Sequence, residues 1–172
     1  MTDLLLYHHP TSYYSQIGRL VMVESGLDWR GRFIDIGPRM ENYDPWYARL
    51  NPEMVVPVLV DGGEVVTETV DIARYVDREH PESNLTADHL PEQAVEQWAS
   101  RIADFPVREF AYGTLPPAFV RRKIHNTRLS TIREHLASNP ELAETYETRL
   151  EDIEQWEDVS SDPEAVEALE GR

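Results

Sequence analysis

The sequence predicts an α/β domain followed by an all-α domain, and three observations carry that prediction. Short apolar runs separated by turn residues fill roughly the first eighty positions. A stretch bounded by two prolines, PESNLTADHLP at 81–91, then interrupts the pattern. Beyond it, apolar residues recur only at helical spacing.

Leu4-Leu5-Leu6-Tyr7 is short, apolar and followed by the polar loop His8-His9-Pro10-Thr11-Ser12-Tyr13-Tyr14, so it reads as a buried strand. A helix follows, with Ile17, Leu20 and Val21 as its expected apolar face and Gly26 as its stop. Trp29 to Ile36 alternates loosely and suits a second strand. Residues 37–54 hold Pro38, Pro45 and Pro52 and are expected to be irregular, apart from a short helix around Pro45 to Leu50. Val58-Leu59-Val60 and Val65-Val66 flank the turn signal Asp61-Gly62-Gly63 and form a hairpin. Glu68-Thr69 then opens an amphipathic helix with Ile72, Ala73 and Val76 on one face, ending near Glu79-His80-Pro81. The order βαβ-α-ββα is that of a thioredoxin-like domain, with the first two strands parallel through a crossover helix and the last two antiparallel.

The predicted organisation is a thioredoxin-like domain over 1–81, a linker over 82–91 and a helical bundle domain over 92–172. In the last, Val95, Trp98, Ile102 and Phe105 mark one helix, bent or broken at Pro106. Pro116-Pro117 starts another through Ile124, Leu129, Ile132 and Leu136. Leu142, Tyr146, Leu150 and Ile153 define a third, and Asp162-Pro163 begins a short last one with Val166 and Leu169.

Composition removes several functions. Cysteine is absent, which excludes a disulfide framework, a CxxC redox centre and a thiolate metal site. Any thiol chemistry would take its sulfur from a substrate. Acids outnumber bases 32 to 16, a formal net charge of −16, which argues against nucleic acid and anionic membranes as partners. Lys123 is the single lysine, a composition that suits a salt-adapted cytosol or an arginine-favouring GC-rich genome. No apolar run approaches the ~20 residues of a membrane span. The start, MTDLLLYHHP, lacks a basic region and a small-residue cleavage pair, so a cytoplasmic protein is expected. The acidic stretch 141–172 reads as a solvated helix face and tail. His8-His9 invites a metal reading, but adjacent residues on an extended strand point to opposite sides, and no HxxxH supports them; no metal is expected.

One constellation looks chemical. The loop before Val56-Pro57 and the helix opening at Glu68-Thr69 would place backbone donors and a carboxylate side by side, which suits a small zwitterionic ligand. Thr69 as a plain N-cap and Glu68 as a first-turn dipole partner is the lesser alternative, and one compatible with ligand binding. The segments Asn51-Pro52, Val56-Pro57-Val58-Leu59, Glu68-Thr69 and Ile72 to Tyr75-Val76 together match an NPxGxVPxL, ES, IxxYL pattern. On those residues the chain resembles the cytosolic glutathione S-transferases, well over 4–80 and by helical character beyond.

The resemblance implies the rest. Pro57 would be cis, with the Val56 backbone meeting the cysteinyl part of glutathione. Glu68 would accept the γ-glutamyl ammonium, and Thr69 would donate to the γ-glutamyl carboxylate. Arg39 or Asn51 would reach the glycine carboxylate. A hydroxyl near the first helix would stabilise the glutathione thiolate and lower its pKa. Alignment of His9-Pro10-Thr11-Ser12-Tyr13-Tyr14-Ser15 and Arg19 with that stretch of the family favours Ser12 as the catalytic hydroxyl, with Tyr7 second and Ser15 or Tyr13 behind both. A bare helix cap at Ser12 and a half-buried strand residue at Tyr7 are the structural alternatives. Met54 stands where the family carries glycine, and Val55 where a polar contact is common. Phe105, Phe110 and Tyr112 could line an apolar pocket or plain core. The family's late Ser/Thr-x-x-Asp capping helix has no counterpart before Arg172, so the helical domain is expected to be shortened. The activity so implied is conjugation of glutathione, or a related γ-glutamyl thiol, to a small hydrophobic electrophile by a homodimer. A non-catalytic binding or scaffold protein of the same fold is the alternative.

Overall fold

A computed structural model describes residues 3–83, 85, 91–107 and 118–160. The expected apolar residues Phe110 and Tyr112, the start at Pro116-Pro117, the final helix from Asp162 and most of the linker lie outside the described residues. The chain divides into two compact units, Met1–Asn42 with Val55–Phe105, and Tyr43–Met54 with Pro106–Arg172.

In the first unit, β1 (Leu4–His8), α1 (Tyr13–Glu24), β2 (Trp29–Phe33), β3 (Val58–Asp61), β4 (Glu64–Val66), α3 (Thr69–Glu79) and α4 (Glu92–Ala103) follow in chain order, with α2 (Pro45–Leu50) belonging to the second unit. The four-stranded sheet runs β2-β1-β3-β4. β1 pairs parallel with β2, from Leu4 opposite Trp29 to His8 opposite Phe33, and antiparallel with β3, from Leu4 opposite Asp61 to Tyr7 opposite Val58. β3 and β4 form the expected hairpin. Its turn needs two residues at positive φ, and Gly62 (56°) and Gly63 (105°) supply them without a Cβ penalty.

Leu4, Leu6 and Leu59 of the sheet pack with Met22 of α1 and with Ile72 and Val76 of α3 in one buried cluster. The expected face of α3 therefore holds. The expected face of α1 holds only in part: half-buried Val21 packs against that cluster, but the fully buried residues are Ser15, Gly18 and Met22, Ile17 is half-buried and Leu20 is 57% exposed. Small residues govern this helix. A Cβ on Gly18 would stand 3.1 Å from Pro57 Cγ, so glycine lets α1 lie directly on that proline. The second strand is also shorter than expected, ending at Phe33: it is an exposed edge, whereas Ile34 beyond it is fully buried and donates its amide to His8 O at 2.9 Å. In α4 the predicted stripe is not core: Val95 is 46% and Trp98 63% exposed, with the Arg101 guanidinium 5.0 Å above the Trp98 ring.

The second unit is held by α2, α5 (Ala118–Ser138) and α6 (Ala143–Ser160). Tyr47, Ile132, Tyr146 and Ile153 are fully buried. Tyr146 donates its hydroxyl to Tyr43 O at 2.8 Å, and the His135 ring stacks on it at 6.0 Å. Burial holds the Tyr146 hydroxyl high, at a pKa of about 12. Among the described residues no helix is long and apolar enough to cross a membrane.

Candidate functional site

Strand register alone gathers the first unit's loops at one end of the sheet. β1 ends at His8, β2 ends opposite it at Phe33, β3 begins opposite Tyr7, and β4 ends opposite Leu59. The Ser12 turn, the loop after β2, the Val56-Pro57 bend and the Glu68-Thr69 helix start therefore all emerge at that end.

Ser12 is the N-cap of α1, with extended backbone (φ −72°, ψ 124°) and a side chain that accepts from the Ser15 amide at 3.2 Å. Capping uses a lone pair of its oxygen and leaves the hydroxyl hydrogen able to donate elsewhere. Ser15 is fully buried, and its Oγ accepts from the His9 amide at 3.2 Å, so it braces the turn from within. Tyr7 is different. Leu4 and Leu6 enter the cluster beneath α1 and α3, so alternation puts Tyr7 with Leu5 on the opposite sheet face. There the Arg32 guanidinium lies 5.4 Å from its ring. Tyr13 stacks on Phe105 at 4.9 Å, and Tyr14 donates to Phe105 O at 3.3 Å, so an aromatic pair stands immediately after Ser12.

The Val56-Pro57 peptide is cis, as the resemblance implied. Val56 is buried, and neither its N–H nor its C=O forms a hydrogen bond among the described residues. Backbone groups in a residue that is itself buried normally find a partner, so this pair is available to one from outside the described residues. Thr69 is 6% exposed at the first position of α3, where an N–H has no intrahelical acceptor. Glu68 is the N-cap residue but makes no capping bond with its side chain, which is exposed. Arg39 is exposed in the loop after β2, beside Met40 at φ 49°, and makes no ion pair among the described residues. Asn51 lies in the second unit, 1% exposed, where its Oδ1 accepts from the Glu53 amide at 3.0 Å and its carbonyl from the Met54 amide at 2.9 Å. Its oxygens thus shape a turn that ends at Met54, φ 53°, a backbone geometry that accounts for the glycine carried there by the resembling family.

Two histidines adjoin the Ser12 turn. Burial lowers the pKa of His8, helped by Arg19 and His9; its Nδ1 is buried without a partner among the described residues. Burial also lowers the pKa of His9, opposed by the Asp35 carboxylate. The His9 ring lies 5.2 Å from Phe33. Sequence reasoning weighed this pair only as metal ligands. The signal it lacked is the backbone bonding of His9, whose amide donates to Ser15 Oγ and whose carbonyl accepts from the Ser12 amide. Among the described residues no group of three or more metal-ligating side chains occurs.

Comparison with known proteins bears on the same residues. The family profile described as glutathione S-transferase, N-terminal domain, matches residues 11–79. The glutathione S-transferase TCHQD of Arabidopsis thaliana is 28% identical over 165 residues, covering 94% of this chain and 60% of its own length. The tetrachloro-p-hydroquinone reductive dehalogenase of Sphingobium chlorophenolicum is 28% identical over 172 residues, covering 99% of this chain and 68% of its own. A solved glutathione transferase homologue from Sulfitobacter, with bound glutathione, shares the fold at a TM-score of 0.57 and 18% identity, covering 100% of this chain and 94% of its own.

Proposed function

The chain belongs to the glutathione S-transferase superfamily, and from that premise we propose that it binds glutathione, or a related γ-glutamyl thiol, and joins its sulfur to a small hydrophobic electrophile. The observation that carries the reading is the Val56 backbone, whose N–H and C=O have no hydrogen-bond partner among the described residues, at the sheet end that also presents Thr69 and Ser12. The Val56 N–H and C=O match a peptide backbone, as the cysteinyl residue of glutathione would offer. Thr69, with the first amides of α3, suits the γ-glutamyl carboxylate, and Glu68 its ammonium. Arg39 suits the glycine carboxylate, and Asn51 acts through the turn it closes.

In this mechanism Ser12 donates its hydroxyl hydrogen to the thiolate sulfur, stabilising the charged form while its oxygen still caps α1. The thiolate attacks the electrophilic carbon, a C–S bond forms, and the leaving group departs with its electron pair. Tyr7 is the second choice, because its sheet face is the one away from α1 and α3. The Tyr13–Phe105 stack is a natural wall for an aromatic electrophile. Domains over 1–81 and 92–172, a cytoplasmic location and a homodimer complete the proposal.

Calorimetric titration of glutathione into the full chain tests the reading. Saturable heat is expected, together with a thiolate absorbance of the bound ligand and consumption of an activated aryl halide. No heat at millimolar glutathione would leave a non-catalytic scaffold of the same fold.

A further inference from the structure

His9 is the hub of the turn that delivers Ser12. Its carbonyl accepts the Ser12 amide at 3.2 Å. Its own amide donates to Ser15 Oγ at 3.2 Å, and the Ser15 amide donates to Ser12 Oγ at 3.2 Å. The bonds close a circuit through His9, Ser12 and Ser15 that holds Ser12 by its amide and by its side-chain oxygen. Within the turn, the Thr11 amide donates to His9 Nδ1 at 3.3 Å, and Thr11 Oγ1 stands 3.0 Å from the same nitrogen. A backbone N–H can only donate, so Nδ1 is the bare nitrogen and the proton of the neutral ring sits on Nε2.

We propose that His9 is a positioning residue for Ser12: its neutral, Nε2-protonated ring pins the Thr11 amide and so holds the turn that sets the Ser12 hydroxyl, and protonation at Nδ1 releases that turn. A protonated Nδ1 would face the Thr11 amide as donor against donor. The hydroxyl of Thr11 can rotate to accept, but the amide cannot. The charged and titratable groups around the ring are Asp35 after β2 and His8 beside it, with Arg19 of α1 acting on His8; Phe33 covers the ring with an apolar edge. Asp35 favours the imidazolium and burial opposes it, and burial is the larger influence, which keeps the ring neutral near pH 7. The catalytic consequence rests on the proposed role of Ser12, whereas the lock itself exists in the ligand-free chain.

The test therefore has two arms on the full-length protein. In the first, nuclear magnetic resonance follows the ring nitrogens of His9 and the amides of Thr11 and Ser12 during acid titration without ligand. The expected result is an Nε2–H tautomer and a Thr11 amide whose protection is lost together with His9 protonation. In His9→Asn, where Oδ1 stands near the place of Nδ1 and cannot titrate, the amide should stay protected throughout. An Nδ1–H tautomer, or amides that ignore the ring, would overturn the inference. The second arm reads thiolate absorbance of bound glutathione against pH. His9→Ala should raise the apparent thiol pKa by about one unit, the size of a weakened bond to a charged group, and His9→Asn should restore it. A thiol pKa unchanged from the wild type in a well-bound His9→Ala complex would also overturn it. Absence of any thiolate in the wild type would instead count against the proposed function, leaving the first arm to decide the lock.

Discussion

The two ends of the sheet in the first unit are both rich in polar groups, yet they use them in opposite ways. At the hairpin end, Asp61 accepts from the Tyr75 hydroxyl at 3.2 Å and the His80 ring at 2.9 Å, and Glu82 stands 3.6 Å from the other His80 nitrogen. The His80 amide also closes α3 on Val76 O at 3.0 Å. Each group there answers another, so this end ties α3 to the hairpin. At the other end, the Val56 backbone and Arg39 have no partners among the described residues, and the Glu68 side chain makes no capping bond to the first amides of α3. Polar groups left without a protein partner are the ones free to meet something else. The contrast teaches that polarity alone does not mark a site; unsatisfied polarity does.

The largest expected effect comes from breaking the saturated end. Asp61→Ala removes the acceptor of two donors, one of them on the 6%-exposed His80. Stranding both should cost about 2–4 kcal/mol of unfolding free energy in urea titration, with glutathione affinity unchanged under conditions where the protein stays folded. A cost near zero would mean that this end is ornamental to the fold.

The reverse dissociation should follow at the other end. Thr69→Val keeps shape and burial but removes the hydroxyl. Stability should stay within about 0.5 kcal/mol, while glutathione affinity by calorimetry falls about tenfold, near 1.4 kcal/mol. Equal losses at both ends, in stability alone, would erase the distinction between them. Ser12→Ala should show an intermediate character, because Ser12 belongs to both classes. Loss of the cap should cost about 1 kcal/mol, and affinity should hold while the bound thiol titrates higher. An unchanged thiol pKa would move the catalytic hydroxyl to Tyr7.

How much of this was legible in the sequence depended on how local each signal was. The hairpin was, because Asp61-Gly62-Gly63 is a turn by its own chemistry, and α3 was, because Ile72 and Val76 are large residues on one face. The core face of α1 was not. Apolar periodicity finds buried leucines, but here Gly18 is buried because it is small enough to let Pro57 approach, and Ser15 because its hydroxyl braces the His9 turn. The α4 stripe misled in the opposite sense, since Trp98 and Val95 mark a helix without marking core within the chain. For the candidate site, the spacing of Val56-Pro57 and Glu68-Thr69 could be read because each dipeptide has a backbone meaning. His9 could not be read that way. Its part depends on which amides its carbonyl, amide and ring meet, and side-chain type does not encode that.

The smallest expected effect separates the ends by pH. His8 and His9 both have pKa values lowered below the ordinary 6.5, chiefly by burial. Between 6.5 and the lower native values the unfolded chain binds protons that the native turn refuses, so unfolding free energy rises with pH across that window and falls as acid enters it. Below the native values both states are protonated and the slope from these groups vanishes. Other groups titrate in the same range, so the informative quantity is a difference. The double variant His8→Gln/His9→Asn should lose less stability than the wild type between pH 7 and pH 5 in paired urea titrations. That difference belongs to the open end of the sheet, where α1 begins. Identical pH slopes in the two proteins would show that burial of these rings is not felt by the fold, and would remove acid sensitivity from the list of ways in which the open end differs from the saturated one.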